Sequence, residues 1–195
     1  IFPFGTGNDF GSALGLKVDP MEALEDLLAA QPAVIDAAAA NDAIYINAAG
    51  TGFDVDVIRN TEKYKRRFNG MLPYMLGIFK SLMDLKWDHF TITADGETFE
   101  EDAILIDACN GTRLAGGIKV APIAELNDGM LDVCIVRKLG RLGVLRVLPS
   151  VVKGKHLSSP HVRYLKAREL RLESTRENIL NLDGELGSST PVTFK

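Results

Sequence analysis

Apolar positions along the chain repeat with two different periods. Over residues 72–85, Leu72, Met75, Ile78, Phe79, Leu82 and Met83 recur at helical spacing, and the preceding stretch 54–68 also reads as a helix. Over residues 163–173 the pattern ends in strict alternation, with Leu170 and Leu172 set against Glu169, Arg171 and Glu173. Leu131, Val133 and Ile135 alternate in the same way over residues 131–136. Strands are also predicted at 43–49 (closed by Gly50-Thr51-Gly52), 88–94, 98–110, 179–182 and 191–194, and a short helix at 142–152. Asp95-Gly96 and Asp183-Gly184 are hairpin signals between such strands.

The beginning of the chain has a different character. Residues 1–4 read as a strand end, Gly5-Thr6-Gly7-Asn8-Asp9 as a turn and residues 10–16 as a short helix. A second helix starts at Asp19-Pro20-Met21-Glu22, where Asp19 can cap and Pro20 suits the first helical position. Leu24, Leu27 and Leu28 line one face of it, and Pro32 ends it. Many short strands with turn signals then predict a mostly β protein with helices, of the α+β class, built as a β-sandwich or barrel. The boundary falls near residues 32–42, dividing the chain into 1–32 and 33–195. Apolar residues running from Ile1 straight into a Gly-rich turn suggest a strand begun earlier, so the chain is expected to be a piece of a longer polypeptide.

Composition narrows the function classes. With 46% hydrophobic and 25% charged residues, the 195-residue chain can bury a sizeable core and is not a disordered segment. Its 22 basic and 26 acidic residues give a net charge of −4, which argues against nucleic-acid binding through bulk positive charge. Cys109 and Cys134 both lie in apolar runs and read as buried thiols in a reducing compartment. His89, His156 and His161 show no metal-ligand spacing.

Several short segments carry candidate chemistry beside an ordinary structural reading. Gly5, Thr6, Gly7 and Asn8 sit between a strand and a helix, where glycines let the backbone approach an anion and Thr6 adds a hydroxyl. The same turn can equally be a tight connection with Asn8 or Asp9 as helix cap. Asn127-Asp128-Gly129, preceded by Glu125, is a hairpin-type turn or a hard-cation site with Asp128 as its carboxylate. Asp95-Gly96-Glu97 and Asp183-Gly184-Glu185 are the same tripeptide, and nothing local separates the two. Lys63, Lys65, Arg66 and Arg67 precede the apolar helix at 72–85, an arrangement suited to an anionic membrane surface or to a plain solvated face.

In order and spacing these segments resemble the diacylglycerol kinase catalytic family, in particular the bacterial soluble lipid kinases related to sphingosine kinases. The segments are Phe2-Pro3-Phe4-Gly5-Thr6-Gly7-Asn8-Asp9-Phe10, Asn47-Ala48-Ala49-Gly50-Thr51-Gly52-Phe53-Asp54, Gly116-Gly117-Ile118-Lys119-Val120-Ala121-Pro122, Leu126-Asn127-Asp128-Gly129-Met130-Leu131-Asp132 and Asp183-Gly184-Glu185. The resemblance implies a two-domain lipid kinase. Residues 1–32 would be the tail of an α/β nucleotide-binding domain like that of NAD kinases, and residues 33–195 the C-terminal β-sandwich. It implies ATP and Mg²⁺ as cofactors and a diacylglycerol-like lipid as acceptor. The implied location is the bacterial cytoplasm at a peripheral membrane surface, with a homodimer compatible. By the same resemblance Thr6, with Gly5, Gly7 and Asn8, contacts nucleotide, and Asp9 is an active-site aspartate. Glu185 is the general base, and Asp128 with the main-chain carbonyls of Glu125 and Met130 holds Mg²⁺.

The family's Gly-Gly-Asp-Gly-Thr phosphate loop is not in this chain, so the chain by itself is expected to be inactive. Two other readings are a lipid-binding or regulatory module without catalysis, and a small-molecule kinase related to NAD kinases.

Overall fold

The computed structural model describes residues 7–17, 19–70 and 72–195. The strand expected at residues 1–4, and with it Gly5 and Thr6, lies outside the described residues. Helices α1 (Asp9–Ala13) and α2 (Pro20–Ala29) come first, followed by strands β1 (Ala38–Ala40), β2 (Ala43–Tyr45) and β3 (Ala48–Gly52). Helices α3 (Phe53–Lys65) and α4 (Leu72–Met83) separate these from β4 (Asp88–Ala94), β5 (Glu97–Cys109) and β6 (Leu131–Arg137). Helix α5 (Arg141–Val152) then precedes β7 (Val162–Ala167), β8 (Leu170–Ser174), β9 (Ile179–Leu182), β10 (Glu185–Ser189) and β11 (Val192–Phe194).

The named strands pair antiparallel throughout, and β5 is their shared member. Its first half pairs with β4, while its second half lies between β3 and β6, with a register shift between Ala103 and Leu105. One layer therefore runs β10-β9-β3-β5-β6-β7 and the other β5-β4-β8-β11-β1-β2. The main core lies between them, with Ile106, Ile135 and Leu180 from the first layer and Ile92, Leu172 and Phe194 from the second. Tyr45 packs edge-on against Phe194, with ring centroids 6.2 Å apart. Burying each such ring contributes roughly 1.5–3 kcal/mol. The alternation over residues 170–173 has its expected result: Leu170 and Leu172 are buried, Arg171 and Glu173 exposed.

A second core covers the outer face of the first layer. There Cys109, Cys134, Val136 and Val162 meet Val144, Val147 and Val151 of α5. Helices α3 and α4 pack closely because position 77 is glycine; a Cβ there would overlap Thr61 Oγ1. Asn60 Nδ2 donates to Ser81 Oγ at 2.9 Å across the same buried contact. Arg141 Nη2 donates to the Met83 carbonyl at 2.5 Å and so ties α5 to the end of α4.

Helix α2 starts as its sequence dictates, with Asp19 Oδ1 accepting from the N–H groups of Met21 and Glu22. Its face of Leu24, Leu27 and Leu28 is nevertheless exposed, and Ala23 is the buried position.

The structure departs from the sequence pattern at four places. The single strand expected at 43–49 is two strands, β2 and β3. The N–H groups of Ile46, Asn47 and Ala48 donate to the Asp183 carboxylate at 2.8, 3.0 and 2.9 Å, which removes them from the ladder. The hairpin partner of β9 is β10, and β11 instead pairs with β8 and β1. Residues 163–173 form two strands that pair with different neighbours, β7 with β6 and β8 with β4. Asn127-Asp128-Gly129 is not a type I′ hairpin: Gly129 alone of the three has positive φ, and its N–H donates to Asp36 Oδ2 at 2.7 Å.

The two Asp-Gly-Glu tripeptides are used alike. Each Asp has φ near +50° and each Gly near +90°, the geometry of a type I′ turn. Each Asp carboxylate also accepts consecutive backbone N–H groups of a neighbouring segment, Arg168 and Glu169 for Asp95 and residues 46–48 for Asp183. Replacing Asp183 with Ala should therefore lower the free energy of unfolding by about 2 kcal/mol, with Asp183→Asn costing less because its amide oxygen still accepts. Urea denaturation midpoints of the three proteins measure this; equal midpoints would contradict it.

Candidate functional site

A cavity of about 860 Å³ opens between the outer face of the first layer, helices α3, α4 and α5, and the loop at 114–120. Its walls are largely apolar, with Val57, Ile58, Tyr74, Ile78, Leu148 and Val151 among them. One end is polar and carries Asn8, Asp9, Asn47, Asp54, Asp107, Asn181 and the Asp183-Gly184 turn, and Thr61, Glu62 and Lys65 of α3 also line the cavity. The helical face foreseen in α4 thus has two uses. Pro73, Gly77, Ser81 and Leu82 are buried, Tyr74 and Ile78 line the cavity, and Met75, Phe79 and Leu72 are exposed at 65%, 63% and 45%.

Asp9 stands at the polar end and is held there by the loop. Its Oδ2 accepts from Gly116 N–H at 2.8 Å and its Oδ1 from Gly117 N–H at 2.7 Å. Gly116 and Gly117 both have positive φ, which directs their consecutive amides at one carboxylate. Gly7 and Asn8 line the same cavity, with Asn8 in the left-handed region at φ 50°.

Glu185 is the first residue of β10, paired with Leu182 across the turn, and it is exposed. It lines a second, smaller hollow of about 350 Å³ with Ala43, Ile44 and Leu186. Asp9 and the Asp183-Gly184 turn share the large cavity, and Glu185 follows at the next position beyond that lining. Asn181 holds this turn through its Oδ1, which accepts from Gly184 N–H at 2.9 Å, while its Nδ2 donates to Asp54 Oδ2 at 3.0 Å.

The expected cation group is arranged differently. Asp128 Oδ2 lies 2.6 Å from the Lys166 ammonium, and Asp128 Oδ1 accepts from Met130 N–H at 3.0 Å. The lysine beside it holds the Asp128 carboxyl below the usual carboxylate range. Lys166 also lies 3.5 Å from Asp132, whose other oxygen accepts from the Tyr164 hydroxyl at 2.6 Å. Burial pushes the Asp132 carboxyl up, against the pull of Tyr164 and Lys166. Both oxygens of Asp128 are thus engaged by a lysine and an amide, an arrangement that does not fit a directly bound Mg²⁺ unless Lys166 swings away. Among the described residues no cluster of three or more His, Cys, Asp or Glu side chains forms a metal site.

Sequence reading assigned no role to Asn47, Asp54, Asp107 or Asn181. Asn47 is tied into the loop region, its carbonyl accepting from the N–H groups of Asn110 and Gly111 and its Nδ2 donating to the Arg113 carbonyl. Asp107 left the clearest signal, a single acid within the apolar run Ile104-Leu105-Ile106-Asp107-Ala108-Cys109.

Comparison with known proteins gives one family. Residues 47–195 match the family model of the YegS C-terminal NAD kinase beta sandwich-like domain. The whole chain is 30% identical over 195 residues to a diacylglycerol kinase of Bacillus subtilis (strain 168), of which it covers 64%. It is 33% identical over 196 residues to a diacylglycerol kinase of Staphylococcus saprophyticus, again covering 64% of that protein. The chain thus spans less than two thirds of the length of these relatives. Among solved structures, it superposes over its full length on a Bacillus anthracis str. Sterne protein described as a candidate diacylglycerol kinase, with a TM-score of 0.82, 27% identity and 64% of that chain covered. A second structure from that organism, at 22% identity and a TM-score of 0.72, speaks for the fold alone.

If Lys166 stands where a cation would bind, Lys166→Met should raise the apparent Mg²⁺ affinity, read as a melting-temperature increase with millimolar MgCl₂ that the wild type lacks. A wild-type response as large as the variant's would contradict the assignment.

Proposed function

Because the chain belongs to the family of the YegS C-terminal NAD kinase beta sandwich-like domain, we propose that it is the acceptor-binding part of an ATP-dependent lipid kinase acting on diacylglycerol or a similar lipid alcohol. The observation that carries this reading is the cavity of about 860 Å³, with largely apolar walls and a polar part of its lining that includes Asp9 and the Asp183-Gly184 turn. Ligand cavities of this size with a few convergent polar groups are the usual form of a small-molecule site.

In this reading the lipid hydroxyl attacks the γ-phosphorus of ATP, the bond to ADP breaks, and Glu185 takes the hydroxyl proton. Phosphoryl transfer depends mostly on positioning and charge neutralisation. Support for Glu185 is its place directly after Asp183 and Gly184, which line the cavity. Support for Asp9 is its anchorage to Gly116 and Gly117, which fixes a negative charge at the polar end. Gly5, Thr6, Gly7 and Asn8 are proposed to meet the nucleotide, and no step is drawn through Mg²⁺ at Asp128. The division at residues 32 and 33 remains part of the proposal; the exposed leucine face of α2 supports assigning that helix to a different packing unit. The chain alone is proposed to be inactive and the parent protein active.

The parent protein should transfer phosphate from ATP to short-chain diacylglycerol, and Glu185→Gln should reduce turnover by at least about a hundredfold while leaving ATP binding within about twofold. A parent that binds lipid but transfers nothing would instead favour the non-catalytic module. Retained turnover in Glu185→Gln would remove the base assignment.

The lipid must reach the cavity from a bilayer, and no helix among the described residues is long and apolar enough to cross one. We propose peripheral docking through the exposed faces of α4 and α5. Met75 and Phe79 on α4 and Leu142, Leu145 and Val152 on α5 are exposed, and Met75 and Val152 also line the cavity. Lys63, Lys65, Arg66 and Arg67 stand at the end of α3, with the Lys65 ammonium over the Tyr74 ring of α4. Apolar anchors flanked by basic residues suit an anionic surface. Cosedimentation should be stronger with phosphatidylglycerol vesicles than with phosphatidylcholine vesicles, and Phe79→Asp should weaken it at least about fivefold. Equal binding of Phe79→Asp and wild type would exclude this face.

A further inference from the structure

His156 is fully buried, unlike His89 and His161, and the proposed transfer does not use it. Its place follows from the end of α5. Gly154, at φ 69°, donates its N–H to the Val151 carbonyl at 3.0 Å, and Lys155 N–H donates to the Ser150 carbonyl at 2.7 Å. This pair of bonds ends a helix and turns the chain back on itself. The returning backbone sits directly on the loop that follows residue 114. A Cβ on Gly154 would stand 3.0 Å from Pro122 Cβ and 3.2 Å from Lys119 Cβ. Two residues further on, His156 Nε2 lies 2.9 Å from the Val120 carbonyl oxygen.

A carbonyl oxygen only accepts, so Nε2 carries the proton and donates. Burial holds the imidazole below the usual histidine range, which keeps the ring neutral. Val120 is itself buried and lies outside any strand, where a main-chain carbonyl needs a donor from elsewhere. The rest of the loop shows what this bond holds. Leu114 and Ile118 exchange N–H donations, both at 2.9 Å, and so close a tip made of Ala115, Gly116 and Gly117. At the base of the loop, Ala121 N–H donates to the Thr112 carbonyl at a longer 3.3 Å. The His156 bond is thus the shorter of two anchors beneath the tip. The tip amides it supports are the ones that donate to both oxygens of Asp9.

We infer that His156 is a positioning residue: through the Val120 carbonyl it sets the loop so that the Gly116 and Gly117 amides hold the Asp9 carboxylate in one place for phosphoryl transfer. The inference rests on the role proposed for Asp9 and adds to it a residue that acts on Asp9 through the backbone. The same bond joins two walls of the cavity, since Leu148, Val151 and Val152 of α5 line it together with Gly116 and Gly117.

Three substitutions in the parent protein, labelled with ¹⁵N-glycine, test this. The amide nitrogen of His156→Gln stands about where Nε2 does and can donate to the same carbonyl. The side chain of His156→Asn is too short to reach it, and that of His156→Leu has no donor. The Gly116 and Gly117 amide signals are read, with kcat and KM for dioctanoylglycerol and a thermal melt of each protein. The leucine and asparagine variants should displace both signals and lower kcat at least about tenfold, with KM kept within about threefold. The glutamine variant should keep both signals in place and kcat within about threefold of the wild type. His156→Asn carries the comparison if His156→Leu does not fold. A melting temperature that falls while both signals and kcat stay put marks a merely structural histidine and overturns the inference. Glutamine as damaging as asparagine overturns it too, as does a loss carried by KM alone. If the wild-type parent transfers no phosphate, the kinase reading falls and the signals alone decide. Displacement by asparagine that glutamine reverses then upholds His156 as the anchor of the Asp9 amides, and unmoved signals overturn it.

Discussion

The carboxylate of Asp183 holds together the parts on which the site depends. By accepting three consecutive N–H groups from residues 46–48, it ends one strand and starts the next, and it fixes the β9–β10 turn against that break. Its own N–H donates to the Ala48 carbonyl at 2.9 Å, so the turn and the strand are clamped in both directions. Asn47, Gly184 and Glu185 take their places from this clamp. A hairpin tip that would otherwise be mobile thereby becomes part of a cavity wall.

Around that clamp the sandwich supplies the floor of the cavity and the helices its roof. The floor is the outer face of the first layer, backed by a core in which Val133, Ile135 and Leu180 are fully buried. The roof is α3 and α4, drawn close by Gly77, with α5 fastened to α4 through Arg141. Apolar side chains line the inside of this roof and also its outer surface, an arrangement suited to passing an acyl chain between a bilayer and an enclosed space. The loop at 114–118 completes the enclosure because Asp9 ties it down.

Much of the sandwich was legible because alternation is a local signal. The strand over residues 131–136 and the in-out pattern of Leu170 to Glu173 followed directly from it. Strand β1 was hidden in a run of alanines with no alternation to read, and β10 in a stretch of Gly and Ser. The break between β2 and β3 is imposed by a carboxylate about 135 residues away, which no local pattern can carry. The site divided in the same way. The apolar face of α4 was evident, and the resemblance singled out Asp9, whose anchoring amides only the fold reveals. The pairing of Asp128 with Lys166, 38 residues on, was not evident, nor was the approach of Asp54 to Asn181 across 127 residues.

The central claim is that a lipid lies in the cavity with its head toward the Asp183-Gly184 turn and its chains toward α4. Paramagnetic relaxation with two spin-labelled diglycerides, one labelled on the glycerol and one at the acyl end, tests it directly. The account predicts that the head label broadens the amide signals of Asn47 and Gly184, and that the chain label broadens those of Tyr74 and Ile78. The reverse gradient, or broadening confined to residues outside the cavity, would contradict it.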